Sequence, residues 1–129
     1  MNNDVLKEMT TLYVEDDKEI LQKVGNMLER RVKQLYLAAN GKEGLDLTVA
    51  KRPDVIITDL EMPILNGLEM IKRIRETLGY ACPIIVVTAY HDEEHYTDLA
   101  DEYVYKPVIL SELIDTMVKL AGKYRSDQK

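Results

Sequence analysis

The chain has 129 residues, the length of a single domain, of which 46% are hydrophobic and 31% charged. That apolar content excludes a disordered chain, and the formal net charge of −6 argues against a nucleic acid backbone as the main partner. No apolar run approaches the roughly 20 residues of a membrane-spanning helix, and the amino terminus does not resemble a secretory signal. The single cysteine, Cys82, fits a reducing compartment, so we expect a cytoplasmic protein.

Short apolar runs alternate along the chain with longer segments of helical period. The short runs are rich in β-branched and aromatic residues, and none alternates cleanly with polar residues. This pattern is typical of strands that are covered on both faces of a parallel sheet. The predicted strands are Thr11–Val14, Leu35–Ala39, Val55–Thr58, Ile84–Val87 and Tyr103–Tyr105.

A helix is predicted after each strand. Apolar residues recur on one face of the first, third and fifth of these segments, as in helices that pack on a sheet. Capping residues and helix-breaking residues mark their ends. The predicted starts are Asp17 or Lys18, Asn40, Asn66 and Ser111, and the predicted stops are Pro53 for the second helix and Gly79 for the third.

Five such units with short connections predict an α/β fold, an open parallel sheet with helices on both faces. A closed barrel would need eight units. We expect one domain over residues 1–129 with an ordered core of about 8–124. That domain is either a stand-alone protein or a part of a longer one.

Polar residues follow four of the five predicted strands, at the carboxyl ends where open α/β sheets bind ligands. The second strand ends in the uncharged Ala-Ala-Asn instead. If the strand order is 2-1-3-4-5, the four polar ends are contiguous and the neutral one lies at the edge. The polar residues are Glu15-Asp16-Asp17 after the first strand, Asp59 after the third, Thr88 after the fourth and Lys106-Pro107 after the fifth.

The residue types at these strand ends predict a site for a phosphoryl group. Carboxylates that meet at one point require a cation, and oxygen ligands without Cys or His favour Mg²⁺. A metal ion beside a lysine and a threonine hydroxyl can neutralise phosphoryl oxygens. Asp59 is the best-placed nucleophile, although alone it would also fit a turn residue, just as Asp16 or Asp17 would fit a helix cap. The prediction therefore rests on the four strand ends taken together.

Five segments of the chain carry motifs in a familiar order and spacing: Leu12–Asp17, Pro53–Pro63, Asn66-Gly67, Pro83–Ala89 and Tyr103–Pro107. With these motifs the sequence closely resembles the receiver domain of bacterial two-component response regulators, as in the single-domain chemotaxis regulators. The likeness covers almost the whole chain. It implies a flavodoxin-like (βα)5 sheet with strand order 2-1-3-4-5.

The resemblance also implies roles for the acidic residues. Asp59 would accept a phosphoryl group from the phosphohistidine of a sensor histidine kinase or a phosphotransfer protein. Mg²⁺, or Mn²⁺ in its place, would be bound by Asp59, directly by Asp16, through water by Glu15 and by the backbone carbonyl of Glu61. Asp17 would then be the residue that starts the helix.

For the remaining site residues, the resemblance implies that Thr88 and Lys106 contact the phosphoryl oxygens, with a cis peptide between Lys106 and Pro107. Tyr103 resembles the aromatic switch residue that turns inward when Thr88 moves. The phosphoryl charge would change a surface of the fourth helix, fifth strand and fifth helix that contacts an output partner or domain. Such a protein is a signalling switch that catalyses only its own phosphoryl transfer and dephosphorylation. It binds neither nucleic acid nor membrane directly, and a phosphorylation-linked dimer is compatible with the family.

Two features depart from the family pattern. Thr88 and Lys106 are only 18 residues apart, and Leu99-Ala-Asp-Glu102 replaces the usual Gly-Ala. We therefore expect a short or distorted fourth helix over about Asp92–Asp98. Glu61 and Tyr90 occupy the two variable positions that tune the lifetime of the phosphoryl group in this family.

Two other functions fit parts of the sequence. The segment His91–His95 matches the H-x-x-E-H pattern of a class of zinc peptidases, although a solvated helix face is the better explanation of it. A dehalogenase-like phosphatase would use Asp59 as its nucleophile. That family places its acidic pair after the first strand, whereas Asp59 and Glu61 follow the third.

Overall fold

The computed structural model describes residues 4–127, with side chains described through residue 123. Five parallel strands form one sheet in the order β2-β1-β3-β4-β5, which confirms the predicted α/β class and strand order. Every strand agrees with its predicted span to within one residue at either end. The strands are β1 (Thr10–Val14), β2 (Gln34–Ala38), β3 (Val55–Thr58), β4 (Ile84–Thr88) and β5 (Glu102–Tyr105).

Four α-helices accompany the sheet. A 3-10 helix, Asp4–Glu8, precedes β1, and α3 continues into a π-helical segment, Arg73–Thr77, before Gly79 turns the chain with a φ of 62°. The α-helices are α1 (Lys18–Glu29), α2 (Gly41–Lys51), α3 (Gly67–Lys72) and α4 (Leu110–Asp127). No helix in the described part of the chain has the length and apolar character to cross a membrane.

Most of the predicted helix starts are confirmed by their hydrogen bonds. The carboxylate of Asp17 accepts from the backbone N–H groups of the first turn of α1, so Asp17 is the cap and Lys18 the first helical residue. Asn40 and Asn66 cap α2 and α3 in the same manner. The prediction that Ser111 caps the last helix is wrong. That helix begins one residue earlier, because the carbonyl of Ile109 already accepts the first helical hydrogen bond.

Two apolar layers cover the sheet, one on each face. Side chains from α1 and α4 pack on one face around Tyr13 and Ile57, whereas α3 packs on the other face against Leu12 and Ile56. Successive residues of a strand point to opposite faces, so strands buried on both sides need an unbroken apolar run. This burial explains why the strand segments of the sequence do not alternate.

The expectation of a short or distorted fourth helix over about Asp92–Asp98 is borne out, although no α-helix forms in this segment. One 3-10 turn, Glu93–His95, takes its place, and Asp92 caps that turn. Residues 89–101 alone join β4 to β5, which is close to the dozen or so residues that a crossover between parallel strands takes with its helix included. The connection therefore leaves little room for a helix with a loop at each end.

Candidate functional site

The predicted site residues meet at the carboxyl edge of the sheet. Glu15 directly follows β1 and Asp59 directly follows β3, and their backbone N–H groups extend the strand pairing by one hydrogen bond each. Thr88 is the last residue of β4, and Lys106 follows β5. The strand order places these four positions side by side, as the sequence predicted.

Lys106 joins two of the carboxylates. Its Nζ lies 2.9 Å from Asp59 Oδ2 and 3.2 Å from Glu15 Oε1. Glu15 is 1% exposed and Asp59 7% exposed, so both carboxylates lie almost entirely out of water. The peptide bond from Lys106 to Pro107 is cis, as the resemblance implied. A buried pair of acids thus shares one ammonium group.

Backbone N–H groups hold the other oxygens of these carboxylates. Leu60 N donates to Asp59 Oδ1 at 2.7 Å, and Asp17 N donates to Glu15 Oε2 at 3.2 Å. Both acids are therefore fixed in orientation by bonds from two directions. At the end of β4, Thr88 Oγ accepts from Tyr90 N at 3.1 Å, which uses an oxygen lone pair and leaves the hydroxyl hydrogen to be donated.

The acidic residues also form a candidate metal site. Carboxylate oxygens of Glu15, Asp16 and Asp59 lie within 4.8 Å of one another, and Asp16 is exposed where the other two are buried. A set of oxygen ligands that opens to solvent on one side suits Mg²⁺, which keeps several of its waters. The residues present therefore fit the ion that the sequence predicted. Asp17 is engaged as the cap of α1 instead.

Burial and mutual repulsion change the pKa values at the site. Burial, and then the charge of Asp59, raises the pKa of Glu15 to about 7 from its ordinary value of 4.5. Partial burial opposes the charged form of Lys106, but its hydrogen bond to Asp59 and the two carboxylate charges outweigh that effect and raise its pKa. The lysine therefore stays positive, and the site favours a second cation to hold Glu15 ionised.

A glycine shapes the loop that carries Asp59. A Cβ at Gly67 would lie 2.2 Å from the carbonyl oxygen of Asp59 and 2.9 Å from Leu60 Cα. Gly67 N donates to Leu60 O at 2.8 Å, so the start of α3 is pressed against the backbone that leaves β3. Only glycine allows this approach without displacing one of the two segments.

Side-chain bonds anchor the segment of residues 89–101 that lacks the predicted helix. The Arg75 guanidinium donates to Leu99 O, Tyr80 O and the carboxylate of Asp101 at 3.0 to 3.1 Å. The Tyr103 hydroxyl bonds both the N–H and the carbonyl of Thr97. Tyr103, the predicted switch residue, is half-buried. The inward turn predicted for it remains a prediction.

His95 connects this segment to the loop after Asp59. Its Nε2 lies 2.6 Å from Glu61 Oε1, its Nδ1 lies 2.6 Å from Asp92 Oδ1, and its ring stacks on Tyr90 at 3.9 Å. The hydrogen bonds that its ring nitrogens donate to the carboxylates of Asp92 and Glu61 raise the pKa of His95. One imidazole thus touches both of the positions that the resemblance associates with phosphoryl lifetime. Glu61 directs its carboxylate to this ring, and the metal role of its carbonyl remains a prediction.

This arrangement does not provide the shared helix face that a zinc site at His91 and His95 would require. His91 stacks on Tyr105 at 3.9 Å, and His95 stacks on Tyr90, so the two imidazoles have different partners and share no helix face. Among the described residues, the cluster that could hold a metal ion is the acidic one formed by Glu15, Asp16 and Asp59. The plainer alternative of a solvated helix face is also wrong, because only the 3-10 turn Glu93–His95 forms there and no α-helix does.

Sequence reasoning missed the contacts of Arg75 and His95. Each acts on a segment far away in the sequence, and a lone arginine in a helix or a histidine in an acidic run is an ordinary occurrence. The short spacing from Thr88 to Lys106 was the available signal that this connection is unusual.

Comparison with known proteins identifies the family of the chain. Residues 11–118 match the family model of the response regulator receiver domain. The chain is 36% identical over 120 residues to the response regulator MprA of Mycolicibacterium vanbaalenii, a match that covers 90% of this chain and 52% of MprA. The chain thus spans about half the length of the curated relatives that it matches.

Solved structures resemble the whole fold. The receiver domain of Francisella response regulator 1452 is 29% identical, with a TM-score of 0.80, and the match covers 91% of this chain and 99% of that one. Chemotaxis protein CheY4 of Vibrio cholerae is also 29% identical, with a TM-score of 0.79, covering 88% of this chain and 98% of its own. Together with the site geometry, these matches show that the chain belongs to the response regulator receiver domain family.

Proposed function

We propose that Asp59 accepts a phosphoryl group from the phosphohistidine of a sensor histidine kinase or a phosphotransfer protein, in a reaction that depends on Mg²⁺. The observation that carries this proposal is the environment of Asp59. Asp59 is 7% exposed, its carboxylate contacts the Lys106 ammonium at 2.9 Å, and one of its oxygens lies within 4.8 Å of carboxylate oxygens of Glu15 and Asp16. Lys106, together with a cation held by these acids, would supply the positive charge that an incoming phosphoryl group needs.

In the proposed step, a carboxylate oxygen of Asp59 forms a bond to phosphorus while the nitrogen–phosphorus bond of the donor breaks. The donor imidazole leaves with the electron pair of that bond. Lys106 stays close to the acceptor and neutralises negative charge on the phosphoryl oxygens, and the Thr88 hydroxyl donates to one of them. Bound Mg²⁺ would supply further positive charge at these oxygens.

For the metal, we propose Asp16 and Asp59 as direct ligands, Glu15 as a ligand through water and the Glu61 carbonyl as the remaining protein ligand. The exposure of Asp16 supports its role, because a partly hydrated ion enters from the solvent side. Glu15 is buried more deeply than Asp59, at 1% against 7% exposed, which supports an indirect role for Glu15. Its carboxylate is held by Lys106 and by Asp17 N, which limits its movement toward an ion.

As output, we propose a change of surface rather than turnover of a substrate. The phosphoryl group adds a charge of roughly −1.5 to −2 at the edge of the sheet. Thr88 would move to bond it, and Tyr103 would leave its bonds to Thr97 and turn inward. The surface around β5 and α4 would then engage an output partner, an output domain or a second copy of this chain. A kinase of this kind acts inside the cell, so we propose a cytoplasmic location.

The test is the intact mass of the protein after incubation with Mg²⁺ and a small acyl phosphate. We expect one added phosphoryl group on the wild type, none on Asp59→Asn, and none when EDTA is present. Addition to Asp59→Asn at the wild-type rate would reject Asp59 as the acceptor. If neither protein reacts, incubation with fluoroberyllate follows, and failure to bind it would reject the phosphoryl site.

A second pair of variants tests the metal ligands. Asp16→Asn and Asp17→Ser each remove one exposed carboxylate, but a serine at position 17 keeps a helix cap. Calorimetry should show loss of Mg²⁺ binding in Asp16→Asn and nearly unchanged binding in Asp17→Ser. The reverse result would reassign the metal to Asp17.

A further inference from the structure

A groove lined by aromatic rings lies where β5 meets the segment of residues 89–101. We call it the aromatic groove and define it by Tyr90, His91, Tyr96, Tyr103 and Tyr105. Its volume is about 220 Å³. Tyr90 is 45% exposed, Tyr96 59% and Tyr105 40%, which is high for residues of this type in one place. The aromatic groove lies beside the phosphoryl site and does not include the carboxylates of that site.

The rings of the aromatic groove hold one another in place. His91 stacks on Tyr105, Tyr96 stacks on Tyr103 with centroids 5.2 Å apart, and the Tyr103 and Tyr105 centroids are 6.5 Å apart. Tyr103 is fixed further by its two bonds to Thr97. Rings that are already ordered lose little freedom when a partner binds, so this surface is prepared for contact.

The charge around the aromatic groove is negative. Residues 91–105 contain six acids and no Lys or Arg. Glu93, which lines the groove, is exposed, as are Glu94 and Asp98 nearby in the sequence, and none of the three forms an ion pair with any Lys or Arg that the structure describes. The other three acids are paired, in His95–Asp92, Arg75–Asp101 and Lys119–Glu102.

This combination selects one kind of occupant. Negative charge repels nucleic acid and anionic lipid, and a symmetric second copy would bring the same acids together. A volume of about 220 Å³ is below the roughly 300 Å³ at which small-molecule sites begin, so the groove suits individual side chains. An arginine stacks on aromatic faces and pairs with carboxylates at the same time. We propose that the aromatic groove binds an arginine-bearing segment of a partner protein.

The proposal rests on the output surface proposed above, of which the aromatic groove forms a part, and it specifies the chemistry of a partner that binds before phosphorylation. The aromatic groove belongs to the fold as described, so the test uses the full chain without any phosphoryl donor. Its failure is therefore distinct from a failure of Asp59 phosphorylation. The probes are three short alanine-rich peptides that carry spaced arginines, lysines or glutamates at matched positions.

The binding of each peptide is followed by two-dimensional NMR of the ¹⁵N-labelled protein. We expect saturable shifts of amides within 90–105 for the arginine peptide, dissociation constants at least about three-fold higher for the lysine peptide, and no binding of the glutamate peptide. Tyr96→Ala should weaken arginine-peptide binding about five-fold. Glu93→Lys should weaken it as well, and only the effect of this charge variant should shrink at high salt.

Matched controls lie away from the groove. Val49→Ala removes exposed apolar surface from α2, and Glu29→Lys reverses an exposed charge at the opposite end of the sheet, so neither should change binding. If Tyr96→Ala loses its native spectrum, Tyr105→Ala replaces it. The proposal is overturned if no groove amide shifts up to about 1 mM peptide. Equal affinity for lysine and arginine also overturns it, as does movement of the same amides on simple dilution of the protein, which would identify a second copy as the occupant.

Discussion

Replacement of Gly67 by alanine tests whether the start of α3 must press against the backbone of Asp59. The added Cβ would lie 2.2 Å from the Asp59 carbonyl oxygen, and real Cβ contacts are essentially never under 3.0 Å. Relief therefore requires a movement of at least 0.8 Å, the difference between these two distances. The Asp59 carbonyl also accepts from the Thr58 hydroxyl at 2.7 Å, so the movement would strain or break that bond.

The size of the effect follows from two opposed contributions. Overpacking costs roughly 1 to 3 kcal/mol, and the upper end applies here because both contact atoms belong to the backbone. Alanine instead of glycine in a helix gains up to about 1 kcal/mol. We expect Gly67→Ala to lower the free energy of unfolding by about 2 kcal/mol. It should also slow phosphorylation, because the same shift moves the Asp59 carboxylate.

Urea unfolding of Gly67→Ala and Gly122→Ala measures this prediction. Gly122 lies in α4 with nothing within 4 Å of its ideal Cβ, so alanine there should stabilise the protein by about 0.5 to 1 kcal/mol. The two substitutions are chemically identical and should change stability in opposite directions. If Gly67→Ala were as stable as the wild type, the close approach of α3 to the Asp59 loop would be refuted.

Three further predictions concern buried polar groups. The Tyr13 hydroxyl is buried and has no hydrogen-bond partner among the described residues. Tyr13→Phe should therefore raise the free energy of unfolding by about 1 kcal/mol. A loss of stability would mean that the hydroxyl is hydrogen-bonded. Arg75→Ala removes three hydrogen bonds, one of which is the partly buried ion pair with Asp101, and should cost about 3 kcal/mol in urea unfolding, an expectation that a change below about 1 kcal/mol would refute. In EDTA, the folded protein holds a proton on Glu15 between pH 4.5 and about 7 that the unfolded chain releases, so the free energy of unfolding should fall as the pH rises through this window. Glu15→Gln should show a flatter dependence on pH, and parallel curves for the two proteins would count against the raised pKa.

The sequence predicted the sheet and its site because both depend on local patterns. Strands buried on both faces require apolar runs such as Val55–Thr58, which are visible one segment at a time. Parallel strands place their carboxyl ends at one edge, so a polar residue after each run is enough to predict that Asp59 and Lys106 meet. Their actual contact at 2.9 Å confirms that inference.

The connection from β4 to β5 could not be predicted in the same way. The acidic run around Asp92 is locally compatible with a helix. The connection between β4 and β5 is short, however, and it contains one 3-10 turn. Its conformation depends on Arg75, His95 and Tyr103, whose contacts lie across the fold and follow no periodic pattern. Arg75, in the π-helical segment after α3, donates hydrogen bonds to Leu99 and Asp101. Contacts between residues so far apart in the sequence cannot be predicted from a local pattern.

Identification of the phosphorylated residue tests the central claim most directly. After incubation with Mg²⁺ and an acyl phosphate, borohydride reduction converts a phosphorylated aspartate to homoserine, and peptide sequencing by mass spectrometry locates it. We predict homoserine at position 59, with Asp16, Asp54 and Glu61 unchanged. Modification at any of those acids with Asp59 intact would contradict the proposed function.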